Sequence, residues 1–120
     1  MGPTVVIVDD HAGFRSMARR LLEDAGFDVI GEVGDGASAV AAVNALSPHL
    51  VLLDIQLPDM DGFAVAEALS AAGSPSVIVL TSSRAAADYG LRLARSPARG
   101  FLAKADLSGR SLTQLLEAAG

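Results

Sequence analysis

Leu50-Val51-Leu52-Leu53-Asp54 is the stretch whose reading decides the fold. Four apolar residues in an unbroken run, closed by a carboxylate, are too few for a helix and too continuously apolar for a strand with one wet face. A run of this kind fits a strand covered on both sides, as in a parallel sheet. Reading outward, four more runs of the same type appear: Val5 to Val8, Val29 to Val33, Ser76 to Leu80, and Gly100 to Ala103. Segments with helical spacing separate them, and that alternation is the signature of consecutive βαβ units. The expected architecture is a doubly wound α/β fold with five parallel strands, five helices and strand order 2-1-3-4-5.

The helices are read from their apolar spacing. Phe14, Met17, Ala18, Leu21, Leu22 and Ala25 recur at i, i+3, i+4, i+7, i+8 and i+11, which turns one face inward. Arg15, Arg19, Arg20 and Glu23 then face water, and Gly26 ends the helix. A second helix is expected from Gly36 to Leu46, ahead of Pro48. A third starts near Asp61, whose carboxylate can cap it, and ends by Gly73. The fourth is expected from Arg84 to Arg95; it is rich in Ala and contains Gly90, which makes it the least rigid. The fifth runs from Ser108 to Ala118, with Leu112, Leu115 and Leu116 turned inward.

Composition narrows the function. With 51% apolar and 19% charged residues over 120 positions, the chain has enough material for one sizeable core, which excludes disorder. No linker, repeat or low-complexity tract interrupts it, so residues 1–120 are expected to form one domain. No cysteine is present, which excludes disulfides, thiolate metal sites and cysteine nucleophiles and fits a reducing, cytoplasmic setting. No apolar stretch approaches the length of a membrane span, and the N-terminus lacks the pattern of a secretory signal. The net charge of -5 repels phosphate backbones, so direct nucleic-acid binding by this chain is not expected.

In an open parallel sheet, ligands bind beyond the carboxyl ends of the strands. Those ends carry Asp9-Asp10 after the first strand, Asp54 after the third, Thr81-Ser82 after the fourth, and Lys104 after the fifth. In the order 2-1-3-4-5 these four strands are neighbours. Three carboxylates in one pocket repel one another unless a cation sits between them, and an all-oxygen set of this type favours Mg²⁺. Lys104, the only lysine, can meet a phosphoryl oxygen as a point charge, and Thr81 can donate a hydroxyl to another. A carboxylate nucleophile, a metal, a cation and a hydroxyl donor are the parts of a phosphoryl-transfer site.

Four motifs stand together in one order: Val8-Asp9-Asp10, Leu52 to Gly62 around Asp54 and Pro58, Val79-Leu80-Thr81-Ser82, and Gly100-Phe101-Leu102-Ala103-Lys104. On these the chain resembles the CheY-like receiver domain of a two-component response regulator, over essentially all 120 residues. Asp9-Asp10-His11 and the Asp54 loop are most similar to the NarL/FixJ-type branch, whose members usually continue into a helix-turn-helix DNA-binding domain. The resemblance implies a flavodoxin-like (βα)5 fold and a signalling switch rather than an enzyme. It implies phosphorylation of Asp54 by a sensor histidine kinase. Mg²⁺ would be held by Asp10 directly, by Asp9 largely through water, by Asp54, and by the backbone carbonyl of Gln56. Thr81 and Lys104 would hold the phosphoryl oxygens, and the surface of helix 4, strand 5 and helix 5 would switch. Output would be transcriptional, through a DNA-binding domain outside these 120 residues, with room for a homodimer formed on phosphorylation. Phe101 falls at the family's aromatic switch position, which is often Tyr; without a hydroxyl, any switch there rests on packing. Gln56 and Ser83 flank the pocket at positions that tune phosphoryl lifetime in the family.

Plainer readings exist for each residue. Asp9-Asp10 could serve as turn and helix-capping residues, Asp54 could cap a loop, Thr81 and Ser82 could cap helix 4, and Lys104 could be a solvated charge. None of these predicts the other three motifs. His11 reads as a surface residue at a helix start, His49 as a spectator, and Phe101 equally as a core aromatic. The arginines of helix 1 read either as a solvated face or as the place where kinases dock in the family. A calcium loop at Asp59 to Gly62 fails, because Leu57 and Ala68 stand where acidic ligands are required. A constitutive interaction module that has lost phosphorylation would lack the aspartates or the lysine, and all are present. A phosphatase using Asp54 as nucleophile would place a second carboxylate two residues on, where this chain has Gln56.

Overall fold

The structure, a computed structural model, describes residues 2–117. Along the chain run β1 (Thr4–Val8), α1 (Ala12–Asp24), β2 (Asp28–Val33), α2 (Gly36–Leu46), β3 (Leu50–Asp54), α3 (Gly62–Ala71), β4 (Val77–Ser82), α4 (Leu91–Arg95), β5 (Gly100–Ala103) and α5 (Gly109–Glu117). All strand pairs are parallel, in the order β2-β1-β3-β4-β5. This is the doubly wound order expected from the sequence, with β2 and β5 at the edges.

Alternation along each strand sorts the core into two halves. Val5 and Ile7 of β1, Leu50 and Leu52 of β3, and Val79 of β4 pack against Ala18 and Leu22 of α1 and Leu112 of α5. Val6 and Val8, Val51 and Leu53, and Ile78 and Leu80 pack on the other face, against Ala39 and Val43 of α2 and Phe63, Val65 and Leu69 of α3. All of β3 is buried, which is why its sequence is uniformly apolar up to Asp54. Each such side chain contributes about 1.5–3 kcal/mol of transfer free energy. Continuing the alternation past the apolar run sends Asp9, Asp54, Thr81 and Lys104 toward the α1/α5 side, whereas Ser82 and Phe101 fall on the α3/α4 side.

The helix boundaries mostly match expectation, with three corrections. The continuous helix expected over Arg84 to Arg95 is instead a short 3₁₀ turn, Ala86–Asp88, followed by the five-residue α4. Gly90 breaks it by taking φ +54, a conformation closed to most other residues, and Ala85 before it is extended. On α1, Met17 and Ala25 belong to the apolar spacing yet lie exposed, Met17 at 45%, because the helix axis turns only Phe14, Ala18, Leu21 and Leu22 onto the sheet. Arg15 and Arg19, expected in water, are half-buried because both reach the edge strand β2: Arg15 Nε lies 3.5 Å and Arg19 Nη1 2.6 Å from the Glu32 carboxylate. Arg20 and Glu23 are exposed as expected. On α5, Leu112 is fully buried and Leu115 and Leu116 partly so, while Ala118 lies outside the described residues. Among the described residues no helix is long and apolar enough to cross a membrane.

Candidate functional site

The site follows from the register. Asp54 and Thr81 are direct partners in the β3–β4 ladder, and the N–H of Ile55 donates to the Thr81 carbonyl at 2.9 Å, so the nucleophile candidate and the hydroxyl share one platform. Asp9 leaves β1 next door, its N–H donating to the Val33 carbonyl at 3.0 Å. Lys104 follows β5 in a short 3₁₀ turn and reaches inward: its Nζ lies 2.6 Å from Asp9 Oδ2 and 3.5 Å from Asp54 Oδ2. The Phe14 ring sits under that ammonium, 4.3 Å from centroid to Nζ, a cation–π contact that fixes the lysine from the α1 side.

The carboxylates differ in how far they are committed. Asp9 is fully buried; its Oδ1 accepts the N–H of His11 at 2.9 Å and its Oδ2 faces Lys104. Asp10 is exposed and among the described residues meets only the His11 ring nitrogen, Nδ1 to Oδ1 at 3.0 Å. Asp54 is buried at 2% exposure, with Oδ1 accepting the Gln56 N–H at 3.2 Å. Burial pushes its carboxyl up to about 6, the Asp9 charge adds to the rise, and Lys104 and the Gln56 N–H oppose it. Oxygen or nitrogen donors of Asp9, Asp10, His11 and Asp54 all fall within 4.8 Å of one another. The donor set is thus mostly hard oxygen, crowded with negative charge and open at Asp10, which suits a small divalent cation such as Mg²⁺. Thr81 Oγ1 is buried without a hydrogen-bond partner among the described residues, an acceptor-seeking hydroxyl in the floor of the same pocket.

Two glycines and two aspartates shape the loop after β3. A Cβ at Gly62 would lie 2.5 Å from the Asp54 carbonyl oxygen and 2.8 Å from Ile55 Cα, so only glycine lets the start of α3 close against β3. Asp61 caps α3, its Oδ1 accepting the Ala64 N–H at 2.9 Å, and its Oδ2 pairs with Arg92 at 2.6 Å. Burial alone would raise the Asp61 carboxyl, but the Ala64 N–H and Arg92 hold it below its usual value. Asp59 reaches across to α2 and accepts the N–H groups of Gly36 at 2.8 Å and Ala37 at 3.0 Å. Those two donors lower its carboxyl and moor the loop to the neighbouring helix. At Gly36 a Cβ would meet Met60 of the same loop.

The structure therefore gathers Asp9, Asp10, Asp54, Thr81 and Lys104 at the carboxyl ends of four neighbouring strands. Gln56 and Ser83 lie exposed beside it, and Phe101 sits half-buried on the opposite face. His11 is 72% exposed but touches both acidic residues, closer to the pocket than a helix-start residue need be. His49 is more than a spectator, since its N–H donates to Thr4 Oγ1 at 3.0 Å and joins β1 to the start of β3. Asp59 reads in the sequence only as part of a calcium loop that fails and Arg15 only as a polar-face residue of helix 1, whereas in the structure Asp59 moors the loop to α2 and Arg15 Nη1 donates to the Asp9 carbonyl at 2.6 Å; Tyr89, bonded to Ser82, stands in no motif. A Pro-Asp step signals a turn but not its partner, helical spacing puts Arg15 on the polar face but not against Asp9, and the tyrosine is marked by no spacing at all.

Comparison with known proteins agrees with this geometry. Residues 5–117 match the family described as response regulator receiver domain. The nitrate/nitrite response regulator protein NarP of Escherichia coli is 41% identical over 102 residues, covering 83% of this chain and 47% of that protein. The virulence-factor transcription regulator BvgA of Bordetella pertussis is 35% identical over 100 residues, covering 83% of this chain and 48% of its own length. The solved signal receiver domain of the response regulator NarL from Mycobacterium tuberculosis superposes with a TM-score of 0.84 at 34% identity, covering 98% of this chain and 93% of that one. The chain spans about half the length of the curated relatives it matches.

Proposed function

The chain belongs to the response regulator receiver domain family, and from that premise we propose that it takes a phosphoryl group onto Asp54 from a sensor histidine kinase in the cytoplasm. The observation that carries this reading is the setting of Asp54: buried at the end of the central strand, in register with Thr81, with the only lysine 3.5 Å from its free oxygen. An Asp54 oxygen attacks phosphorus in line, the phosphorus–nitrogen bond of the donor phosphohistidine breaks, and the departing imidazole takes up a proton from solvent. Lys104 and the Thr81 hydroxyl receive the charge carried by the transferred oxygens. Thr81 Oγ1, with no hydrogen-bond partner among the described residues, is available for that task.

Asp10, exposed and lightly engaged, would hold Mg²⁺ directly, Asp9, already engaged by His11 and Lys104, would act through water, and Asp54 and the Gln56 carbonyl would complete the set. Bound there, Mg²⁺ supplies the positive charge that keeps Asp54 ionised and offsets charge developing on the phosphoryl group. Hydrolysis of the acyl phosphate by water returns the domain to rest. In the longer regulators it resembles, such a domain governs transcription, and this chain is proposed to serve the same output through a DNA-binding partner domain, with homodimerisation as a consequence of phosphorylation.

The test is intact mass after incubation with Mg²⁺ and acetyl phosphate. The native chain is expected to gain about 80 Da, one phosphoryl group, and Asp54→Ala and an EDTA-treated sample are expected to gain nothing. An equal gain in Asp54→Ala would refute Asp54 as acceptor.

A further inference from the structure

Behind the acidic pocket, on the opposite face of the sheet, the Ser82 hydroxyl and the Tyr89 hydroxyl lie 2.6 Å apart. Ser82 is completely buried, and its Oγ also accepts the Arg84 N–H at 3.0 Å, so this one hydroxyl organises the turn that leaves β4. The Tyr89 ring stands between two others, edge-on to Phe63 with centroids 5.7 Å apart and tilted against Phe101 at 6.1 Å. Few other contacts hold this part of the chain: from Ser83 to Arg95 no residue is buried, only Tyr89 and Leu93 are even partly so, and Arg92 pairs with Asp61 and lies over the Phe63 ring. Among the described residues the Tyr89 hydroxyl is therefore the side-chain tie between the segment and the sheet, beside the Arg84 N–H on the same Ser82 oxygen, and the aromatic stack is its apolar counterpart.

Ser82 is the residue after Thr81 in the same strand, and the two side chains leave opposite faces. Thr81 Oγ1 is buried and unpartnered, whereas Ser82 Oγ is engaged twice. The ladder with β3 and β5 holds the backbone of both residues, and the tie on the Ser82 hydroxyl bears on the end of that ladder one peptide unit from the Thr81 hydroxyl. Phe101 brings no hydroxyl to this cluster; Tyr89 brings one from the α4 side instead.

We propose that Tyr89, acting through Ser82, is a positioning residue for Thr81, and that a phosphoryl group drawing on Thr81 is sensed at the Tyr89 ring. The proposal rests on the reading of Asp54 as the phosphoryl acceptor. Tyr89 is the sole tyrosine and the chain has no tryptophan, so intrinsic emission reports on this ring alone.

The experiment uses the full chain with Mg²⁺ and acetyl phosphate, following intact mass over time, tyrosine emission, and amide exchange of residues 83–95. It compares native protein with Tyr89→Phe, which keeps the ring stack, with Ser82→Ala, and with the double variant. Each single variant is expected to slow phosphoryl gain about fivefold, the factor one neutral hydrogen bond supplies, and to speed exchange of 83–95 by a similar factor. The double variant is expected to do no more than either single one, because both remove the same bond. Emission of native protein should change in step with the mass gain, and Ser82→Ala should lose most of that change. Phosphoryl gain within twofold of native in both variants overturns the proposal, and if exchange alone rises the bond is a structural tie and not a positioning one. Absence of any mass gain in the native chain refutes the acceptor reading itself, and that outcome is distinct from a normal gain with unmoved variants.

Discussion

The end of the central strands and the segment from Ser83 to Arg95 lie one residue apart in sequence and could hardly be built more differently. β3 is buried along its whole length, and Asp9, Asp54, Thr81 and Ser82 at the strand ends are buried polar residues at 2% exposure or less. The neighbouring segment buries nothing completely, contains a broken helix, and leaves Leu91 66% exposed. The difference separates two jobs. The proposed chemistry needs donors fixed to a fraction of an ångström, and they sit on strands that cannot move without exposing the core, whereas the 83–95 surface is tied down by a few contacts at the low-stability end of the fold.

The most direct way to break that contrast is to cut one leucine from each region. Leu53→Ala, inside β3, should cost about 2–5 kcal/mol of unfolding free energy, and Leu91→Ala within about 0.5 kcal/mol of nothing, both read from denaturant melts. Comparable losses would mean that the α4 segment is as integral to the core as the strands. Next in size is Lys104→Met, which keeps the stem over Phe14 but removes the charge. The rate of phosphoryl gain should fall on the order of 100-fold, as when one preorganised charge-stabilising donor is lost, while the fold survives. A fall under threefold would remove Lys104 from the chemistry.

Asp54→Asn sharpens the electrostatic side of the comparison. The Asp54 carboxyl is raised to about 6 from an ordinary 3.8, so near neutral pH the folded, metal-free chain carries a buried charge that the unfolded chain keeps in water. The variant should be more stable at pH 7 by about 3 kcal/mol. The sign fixes the pH course: as pH falls from about 6 toward 4, folded Asp54 takes up its proton before unfolded Asp54 does, and the advantage of Asn disappears. An advantage that grew on acidification would contradict the assignment. Added Mg²⁺ should raise the melting temperature of the native chain more than that of Asp54→Asn. Apart from the Leu91→Ala control, the smallest effect is expected for Arg92→Ala, which loses an exposed pair with Asp61 and a contact 4.3 Å over the Phe63 ring; about 0.5–1 kcal/mol is anticipated from melts.

The same contrast governs what the sequence discloses. Strands buried on both faces exclude polar residues, so the run Leu50 to Leu53 could be read directly, and with it the polar residues that end each strand; Asp9, Asp10, Asp54, Thr81 and Lys104 were legible as strand-end residues for that reason. The segment from Arg84 to Arg95 was not, because its alanines favour helix throughout and the break depends on Gly90 adopting positive φ and on Ser82 capturing both Arg84 and Tyr89. Arg15 and Arg19 fall on the polar side of α1 by spacing, and helical period cannot tell open water from an edge strand that presents Glu32. Asp59 and Tyr89 have partners 22 or 23 and 7 residues away, chosen by tertiary packing rather than by local pattern.

The central claim is that phosphoryl chemistry is confined to Asp54 on the buried strand platform, and the most direct measurement locates the modified atom. Native protein treated with Mg²⁺ and acetyl phosphate, reduced with borohydride and sequenced by tandem mass spectrometry, should carry homoserine at position 54 alone, since reduction converts an acyl phosphate to the alcohol. Homoserine at position 9, 10 or 59, or reduction spread over several aspartates, would contradict it.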